Sequence, residues 1–579
     1  MEKQWITPHR PQHSSRWSYP FNIFIIALIA LTTAWYSLNL TPLPLFTTRA
    51  SICHTPLPPI HAYGPLGDDH PALLRAGKQL ERAIQSRWKK GTIDSINLAV
   101  VTAHGSVWEI SQGPLRPNET DPLERGAVDR DSMYRIASVS KLFTMVETLV
   151  LQQKGVLKLD DPVTRFFPNF TYVPYECPTS TCVPTEPITL RQLASHTSGL
   201  ARDLPAGSAT NWPHERSGGG PPPINDLPFP DRDTVLQSIA ATPLVAAPYT
   251  APIYSNTAWS LLGACNVQAN KLFGEDTSPS THWELLERDV LVPLGLNGTS
   301  FLAAEELKPR IAVGSAYPGE VELDFLDFSN PAGGQFSSLH DLAKLLTSIL
   351  DPSTPGAVLT PYTLREWVRP MHAFGDDNNE VGLVWEIMKF QDSYGTRQRI
   401  YQKYGNLESS HAAIAINAEA GFGVALLTTS PQSQTAPIIE DAIKAFQPAF
   451  DRLRQERAMT MFGGAWELPP SRTRNASEAR ISFKQGSLWL DRLILNGTDA
   501  LQLLGGRKGA SGRLWWTGSD QFRIAVDLPG YEGCLGQWAT LDEYGRKQGW
   551  AINSLVFKGP ASHRSLHFPA AALALRRKL

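Results

Sequence analysis

A serine and a lysine three residues apart, Ser138 and Lys141, are the side chains best placed to do chemistry. They lie between a strand-like segment, 132–136, and an apolar run, 142–151, that predicts a helix. At the start of that helix the Ser138 hydroxyl lies near the positive end of the dipole, with Lys141 one turn along the same face. Backbone N–H groups not used inside the helix would also stabilise an alkoxide. The pattern predicts a nucleophilic serine activated without a Ser-His-Asp triad.

A second motif, Tyr254-Ser255-Asn256, lies where a turn leads into a predicted helix. The tyrosine and the asparagine can therefore point from one loop into a cleft. Positive charge from lysines lowers the pKa of a nearby phenol, because it favours the phenolate. Tyr254 could then serve as a general base and afterwards as a general acid.

A third motif, Lys403-Tyr404-Gly405-Asn406, precedes two strand-like runs at 411–416 and 423–428. We expect the motif to lie on an edge strand, where a glycine lets a substrate approach the backbone closely. The N–H of the next residue can then point at a carbonyl oxygen.

These three motifs, in this order, resemble those of the serine β-lactamase and penicillin-binding-protein family, nearest its class C and esterase-like branch. S-x-x-K is common to every class, whereas Y-x-N with K-x-G points to that branch. The resemblance extends over about residues 80–450. Supporting stretches lie at 134–138, 188–200, 293–296, 331–338 and 381–386.

The resemblance implies a role for each motif residue. Ser138 would be the acylated nucleophile, Lys141 its proton partner, and Tyr254 the base that also protonates the leaving group. Asn256 and Lys403 would hold the substrate and tune the tyrosine. The backbone N–H groups of Ser138 and Asn406 would form the oxyanion hole, with Gly405 between Lys403 and Asn406 as a substrate-binding position.

Tyr404 departs from the family pattern, which usually has threonine at this position. In the family that hydroxyl helps to hold the carboxylate of a β-lactam or of a D-alanine terminus. With a phenol there, at a position taken as substrate-binding, we expect a neutral ester, lactone or amide as substrate.

The leading hypothesis is therefore a serine hydrolase that acts on a small-molecule or short-peptide acyl substrate without a cofactor. An acyltransferase that uses the same acyl-enzyme is one alternative. A membrane-tethered binding protein that has lost catalysis is another. No Cys/His spacing resembles a zinc site and there is no H-E-x-x-H motif, so we expect no metal.

The charge of the chain and its N-terminus bear on partners and location. The 53 Lys and Arg nearly cancel the 55 Asp and Glu, which argues against nucleic acid as a partner. Residues 21–40 form an uncharged, mostly apolar run preceded by Lys3, Arg10 and Arg16. The positive-inside rule predicts a type II membrane anchor with an extracellular or lumenal catalytic domain. A cleaved signal peptide, giving a secreted protein, is the alternative.

Sequons and cysteines agree with secretory routing. Cys177 and Cys182 flank a short loop that could close as a disulfide, and Cys53 could pair with Cys265 or Cys534. Six N-x-[ST] sequons predict glycosylation. They are at Asn39, Asn118, Asn169, Asn297, Asn475 and Asn496.

The predicted architecture is an α/β (α+β) sandwich of an antiparallel sheet with an all-helical lobe, followed by a small all-β domain. A helix at 73–89 and a hairpin at 96–111 would begin the sandwich. We interpret 202–232 as a surface insertion in preference to a substrate-shaping lid, and His196 as a structural residue. The predicted segments are 1–20 (cytoplasmic), 21–40 (membrane), 41–72 (proline-rich linker), 73–455 (catalytic domain) and 460–579 (β-rich accessory domain).

Overall fold

The computed structural model describes residues 53–59, 64, 69–175, 186–528 and 533–578. The predicted membrane segment, Asn39, Cys177 and Cys182 lie outside these residues. Among the described helices, none is both long and apolar enough to cross a bilayer.

Fourteen helices are labelled here in chain order. They are α1 (Pro71–Trp88), α2 (Pro122–Arg125), α3 (Ser140–Gln153), α4 (Leu190–Ala194), α5 (Arg232–Ala241), α6 (Asn256–Phe273), α7 (His282–Leu286), α8 (Val292–Leu294), α9 (Leu326–Gly333), α10 (Leu339–Leu350), α11 (Pro361–Trp367), α12 (Thr435–Phe462), α13 (Ala500–Leu503) and α14 (Gly533–Thr540).

The strands fall into two main sheets and two short pairs. Those of the N-terminal part are β1 (Ser95–Thr102), β2 (Gly105–Gln112), β3 (Met133–Arg135), β4 (Phe336–Ser338), β5 (Pro370–Ala373), β6 (Asn379–Gly382), β7 (Glu386–Gln391), β8 (Arg397–Asn406), β9 (Ser410–Asn417) and β10 (Phe422–Thr429). Those that follow are β11 (Gly464–Leu468), β12 (Ser477–Lys484), β13 (Ser487–Leu495), β14 (Thr498–Asp499), β15 (Gly512–Gly518), β16 (Gln521–Ala525), β17 (Arg546–Lys547), β18 (Trp550–Ala551), β19 (Ser554–Lys558), β20 (Ser565–Phe568) and β21 (Leu573–Arg577).

An eight-stranded antiparallel sheet in the order β2-β1-β10-β9-β8-β7-β6-β5 forms the centre of the sandwich. The predicted helix and hairpin are confirmed as α1 and β1–β2, and β1 pairs along its whole length with the sequence-distant β10. Apolar residues of α1 and α12 pack on one face of the sheet, and the other face carries the core of the helical lobe. The predicted sandwich is confirmed.

Helix α3 is the centre of the helical lobe. Every residue from Ser140 to Leu151 is buried. The helix packs against α6 and α9, and its apolar side chains share one core with residues of the sheet. Strand β3 pairs with β4 and leads straight into the turn before α3, so the position of Ser138 is held from both sides.

The C-terminal part is the predicted all-β domain. Nine strands follow the order β12-β11-β21-β20-β19-β16-β15-β13-β14, and an added β12–β13 pairing closes them into a barrel. Helix α12 leads into this domain and ends at Phe462, past the predicted end of the catalytic domain at residue 455. Its last turns bury Met461 and Phe462 in the barrel core, so tertiary packing lengthens the helix.

The described part of the predicted linker is attached to this barrel. Cys53 forms a disulfide with Cys534, which resolves its pairing, while Cys265 is buried and unpaired. The Thr55 N–H donates to Ser487 Oγ (3.0 Å), and Leu57 packs against the barrel core. Residues 53–57 of the predicted linker therefore lie against the barrel.

Candidate active site

Ser138 lies in a 3₁₀ turn, Ala137–Val139, directly before α3. Its Oγ accepts a hydrogen bond from Lys141 Nζ (3.0 Å) and another from Tyr254 Oη (2.8 Å). Ala137 has φ +46°, a left-handed conformation that is costly for a residue with a Cβ. Backbone strain at that position aims Ser138 at the two other side chains, which the structure brings together as predicted.

Lys141 is fully buried in the first turn of α3. Its Nζ donates to three acceptors, which are Ser138 Oγ, Asn256 Oδ1 (2.7 Å) and the carbonyl of Ala332 (2.5 Å). Burial lowers the pKa of this lysine to about 8, because desolvation disfavours the charged form. Lys141 can therefore change protonation state near neutral pH.

Tyr254 precedes α6 and is surrounded by cations. Lys141 Nζ, Lys403 Nζ and Arg202 Cζ lie 5.2, 5.1 and 5.2 Å from the centroid of its ring. Burial would raise the pKa of the phenol, but the charges of Lys141 and Lys403 outweigh it and lower the pKa to about 8. A phenolate is thus accessible at mildly alkaline pH.

Lys403 is itself held by a carboxylate that the sequence did not single out as functional. Its Nζ lies 2.5 Å from Glu386 Oε1 and donates to the carbonyl of Tyr404 (2.8 Å). Burial lowers the pKa of Lys403, but Glu386 and the Tyr254 phenolate reverse this, so that the pKa is raised. Lys403 therefore stays protonated and supplies a fixed positive charge to Tyr254.

A second acidic residue, Asp203, was also missed. Its Oδ1 accepts from Asn256 Nδ2 (2.7 Å), which leaves Asn256 Oδ1 directed at Lys141. The side chain of Asp203 is only 8% exposed and pairs with Arg202 Nε (3.2 Å). A sequence signal exists in retrospect, because Asp203 closely follows the 188–200 block that resembles the family.

The strand of the third motif is not an edge strand, which corrects our expectation. β8 lies inside the sheet, between β7 and β9. However, β7 pairs only as far as Gln402, so the four residues from Lys403 to Asn406 extend past it. That overhang gives the close access expected of an edge.

The overhang packs against the turn that carries Ser138. A Cβ on Gly405 would overlap the carbonyl oxygen of Ile136 and would lie 3.0 Å from Ser138 N. Leu407 N–H donates to Ser410 across the hairpin, so ladder alternation turns the Asn406 N–H away from β9. Glycine at 405 thus lets the Asn406 and Ser138 N–H groups approach the same region.

Tyr404 does not line the cleft, and its assignment as substrate-binding is wrong. Alternation along β8 turns its side chain to the opposite face from Lys403. There it packs against the α1 and α12 core, and its hydroxyl donates to Gln402 Oε1 (2.8 Å). Burial raises the pKa of this phenol.

His196 supports Tyr254. The two rings are stacked with centroids 4.5 Å apart. The two ring nitrogens of His196 lie 3.0 Å from Ser255 N and 3.2 Å from Trp259 Nε1, and in the neutral ring the unprotonated nitrogen accepts from the N–H that it faces. Burial and the neighbouring cations hold the pKa of His196 well below its usual value. A neutral, buried ring agrees with the structural role that we expected.

The insertion at 202–232 forms one wall of the cleft beside Ser138, which favours the alternative of a substrate-shaping segment over a plain surface insertion. The empty space of the cleft, counted together with its solvent-filled mouth, is about 670 Å³. Residues of the insertion that line it are Arg202, Asp203, Leu204, Pro221, Pro222, Phe229 and Pro230. No group of three or more potential metal-ligating side chains occurs in the part of the chain that the structure describes.

A family model described as beta-lactamase matches residues 80–446. The chain belongs to the beta-lactamase family. Within this family, "Beta-lactamase-like protein str6" of Strobilurus tenacellus is 39% identical over 306 residues, which cover 52% of this chain and 99% of the relative. A "Beta-lactamase-like protein" of Arthroderma benhamiae is 27% identical over 516 residues, covering 83% of this chain and 80% of the relative.

A solved structure described as a class C beta-lactamase has a TM-score of 0.52 at 16% identity. The match covers 66% of this chain and 98% of that chain, and at this identity it shows the fold alone. Family and fold together confirm the predicted resemblance to the β-lactamase-like serine hydrolase family.

We predict that Gly405→Ala lowers both stability and activity. The new methyl group must displace the backbone at Ile136, at a cost of about 1–3 kcal/mol in the free energy of unfolding. It also moves the Asn406 and Ser138 N–H groups apart, so kcat/KM should fall by at least about tenfold. Gly375→Ala is the matched control, because a Cβ there meets nothing within 4 Å. Equal behaviour of the two variants in thermal melts and ester assays would contradict the prediction.

We also predict that kcat/KM rises with pH through about pH 8, as Tyr254 loses its proton. Lys403→Met removes a charge that lowers this pKa and leaves Glu386 unpaired, so the rising limb should move to higher pH. Lys389→Met, on the neighbouring β7 and paired with Glu380, is the control and should leave the limb in place. A limb at the same pH in Lys403→Met would show that Lys403 does not tune the base.

Proposed function

We propose that the protein hydrolyses a neutral ester, lactone or amide through an acyl-Ser138 intermediate. The observation that carries this proposal is the placement of Tyr254 Oη and Lys141 Nζ at 2.8 and 3.0 Å from one serine hydroxyl. Both groups have a pKa lowered to about 8, the range in which general acid–base catalysis is efficient.

In the first step the Tyr254 phenolate takes the proton of Ser138 Oγ as Oγ bonds to the acyl carbon. The N–H groups of Ser138 and Asn406 bind the oxygen that becomes negative. The bond to the leaving group then breaks, and Tyr254 returns the proton to the departing oxygen or nitrogen. Water attacks the acyl-enzyme by the same route, with its proton passing through Tyr254 to Ser138 Oγ.

We infer a neutral substrate because the cationic side chains of the site already have protein partners. All three protons of Lys141 Nζ have protein acceptors, and Lys403 is paired with Glu386. Arg202 is paired with Asp203. A substrate carboxylate would have to compete with these bonds, and it would also meet the charge of Asp203. A neutral acyl group meets no such cost.

A fluorophosphonate probe should label the protein covalently, and Ser138→Ala should abolish that label. Tyr254→Phe keeps the nucleophile but removes its base, so labelling should be slowed by at least about a hundredfold and stay at residue 138. Intact mass and peptide mapping provide the readout. Labelling that persists in Ser138→Ala, or none in the wild-type protein, would refute the proposal, the second result favouring a non-catalytic binding protein.

Acyl transfer uses the same first step, with an alcohol or amine replacing water in the second. Product analysis with added methanol separates the two reactions. A methyl ester as the main product at low methanol concentration would favour the transferase.

We further propose secretory routing with a type II N-terminal anchor, supported by the charge pattern around 21–40 and by the Cys53–Cys534 disulfide. Of the predicted glycosylation sites, those in the described residues are all exposed. They are Asn118, Asn169, Asn297, Asn475 and Asn496.

Protein isolated from its native host should therefore migrate faster on a gel after endoglycosidase treatment, because each N-glycan adds mass. A protein expressed in bacteria is the control and should not shift. An unchanged band for the native protein would exclude this routing.

A further inference from the structure

The cleft beside Ser138 that residues 202–232 help to line is called the bay from this point on. Its shape and charge specify the substrate of the enzyme, an inference that rests on the proposed hydrolase function. We propose that the insertion 202–232 and helix α9 build an acyl pocket for a neutral group of aromatic size, such as a benzoyl group. The pocket excludes acyl groups that carry a carboxylate.

The position of the bay relative to Tyr254 identifies which half of the substrate enters it. The leaving group must lie beside Tyr254 Oη, because that atom returns the proton to it. Of the described residues, those lining the bay include Ser138, Asn256 and Asn406 but neither Tyr254 nor Lys403. The bay therefore extends from the nucleophile on the side away from the leaving group, where the acyl group lies.

The walls of the bay are apolar and large. Phe229 of the insertion packs against Phe325 with ring centroids 4.3 Å apart, so the two rings make one continuous surface. Leu204 and Val235 supply further apolar wall, and Phe328 of α9 adds a third ring. Aromatic surfaces of this size favour a flat apolar group through burial and ring contacts.

The insertion is held in place before any substrate binds. Asn225 is 1% exposed, and its Oδ1 accepts the Leu227 N–H (3.1 Å), which fixes the turn before Phe229. Gly207 and Gly218 lie so close that a Cβ on Gly207 would be 2.6 Å from Gly218 O. On the other side, the buried Arg135 guanidinium lies 5.3 Å from the Phe325 ring centroid. A pocket with fixed walls binds its ligand with little ordering cost.

The charges of the bay select against anionic acyl groups. The charged side chains among its lining residues are Arg202 and Asp203, and they pair with each other. A carboxylate entering the bay would lose its hydration, and the cation that it meets there, Arg202, already has Asp203 as its counter-ion. A neutral ring of the same shape does not meet this penalty.

Three 4-nitrophenyl esters test the proposal, namely the acetate, the benzoate and the 4-carboxybenzoate. In the wild-type protein we expect kcat/KM for the benzoate to exceed both others by at least about tenfold. Phe229→Ala should reduce the ratio of benzoate to acetate by about tenfold. Trp212→Ala is the matched control, an aromatic of the same insertion that is 71% exposed and does not line the bay.

Phe229→Leu keeps the wall filled and covers the case in which the alanine variant fails to fold. It should reduce the ratio of benzoate to acetate less than Phe229→Ala does, and in the same direction. An unchanged ratio in a folded Phe229 variant, or equal turnover of the benzoate and the 4-carboxybenzoate, would overturn the acyl pocket while the acyl-Ser138 reaction stood. Turnover of all three esters by Ser138→Ala at the wild-type rate would instead overturn the proposed reaction.

Discussion

The hydrogen bonds of one buried ammonium group, Lys141 Nζ, constrain how the helical lobe of the catalytic domain packs. A lysine with no exposed surface is costly unless each of its protons has an acceptor. The acceptors come from three separate parts of the chain, the turn before α3, the start of α6 and the end of α9. The helical lobe must therefore close around this one atom, and the same bonds that satisfy it place Ser138 and Tyr254 within hydrogen-bond distance.

Tight packing between helices makes this closure specific. A Cβ on Gly263 would overlap the ring of Pro331, so the glycine allows α6 and α9 to approach closely at this point. Thr144 of α3 donates to the carbonyl of Pro331 (2.9 Å) and ties the third helix to the same point. Pro331, the residue before Ala332, is thus held by both α3 and α6. This places the Ala332 carbonyl within hydrogen-bond distance of Lys141 Nζ.

The acidic residues of the site pair with its cations and so limit how those cations can interact with a substrate. Glu386 keeps Lys403 charged, so that lysine lowers the pKa of Tyr254 and is engaged before any substrate carboxylate arrives. Asp203 orients Asn256 and neutralises Arg202. The cations of the site therefore have protein counter-ions before a substrate enters, and the apolar insertion beside the site agrees with the proposed preference for neutral groups.

The catalytic motifs could be read from the sequence because each is short and its chemistry is local. Ser138 and Lys141 lie three residues apart where the chain enters α3, and Tyr254 and Asn256 lie two residues apart where it enters α6, so spacing alone places each pair. The same holds for the hairpin β1–β2 and for the alternating strands of the barrel. Tyr404 and the edge-strand assignment failed because the face and neighbours of a strand residue depend on pairing with distant strands.

Asp203, Glu386 and the role of residues 202–232 were hidden for a related reason. Their partners lie far away in the chain, and a lone acid or a proline-rich loop has no periodic signature. The sequence by itself determined which side chains are candidates for catalysis, the sandwich that carries them and the barrel that follows. Only the tertiary structure decided how those groups are charged and what surrounds the substrate, because burial and long-range contacts set both.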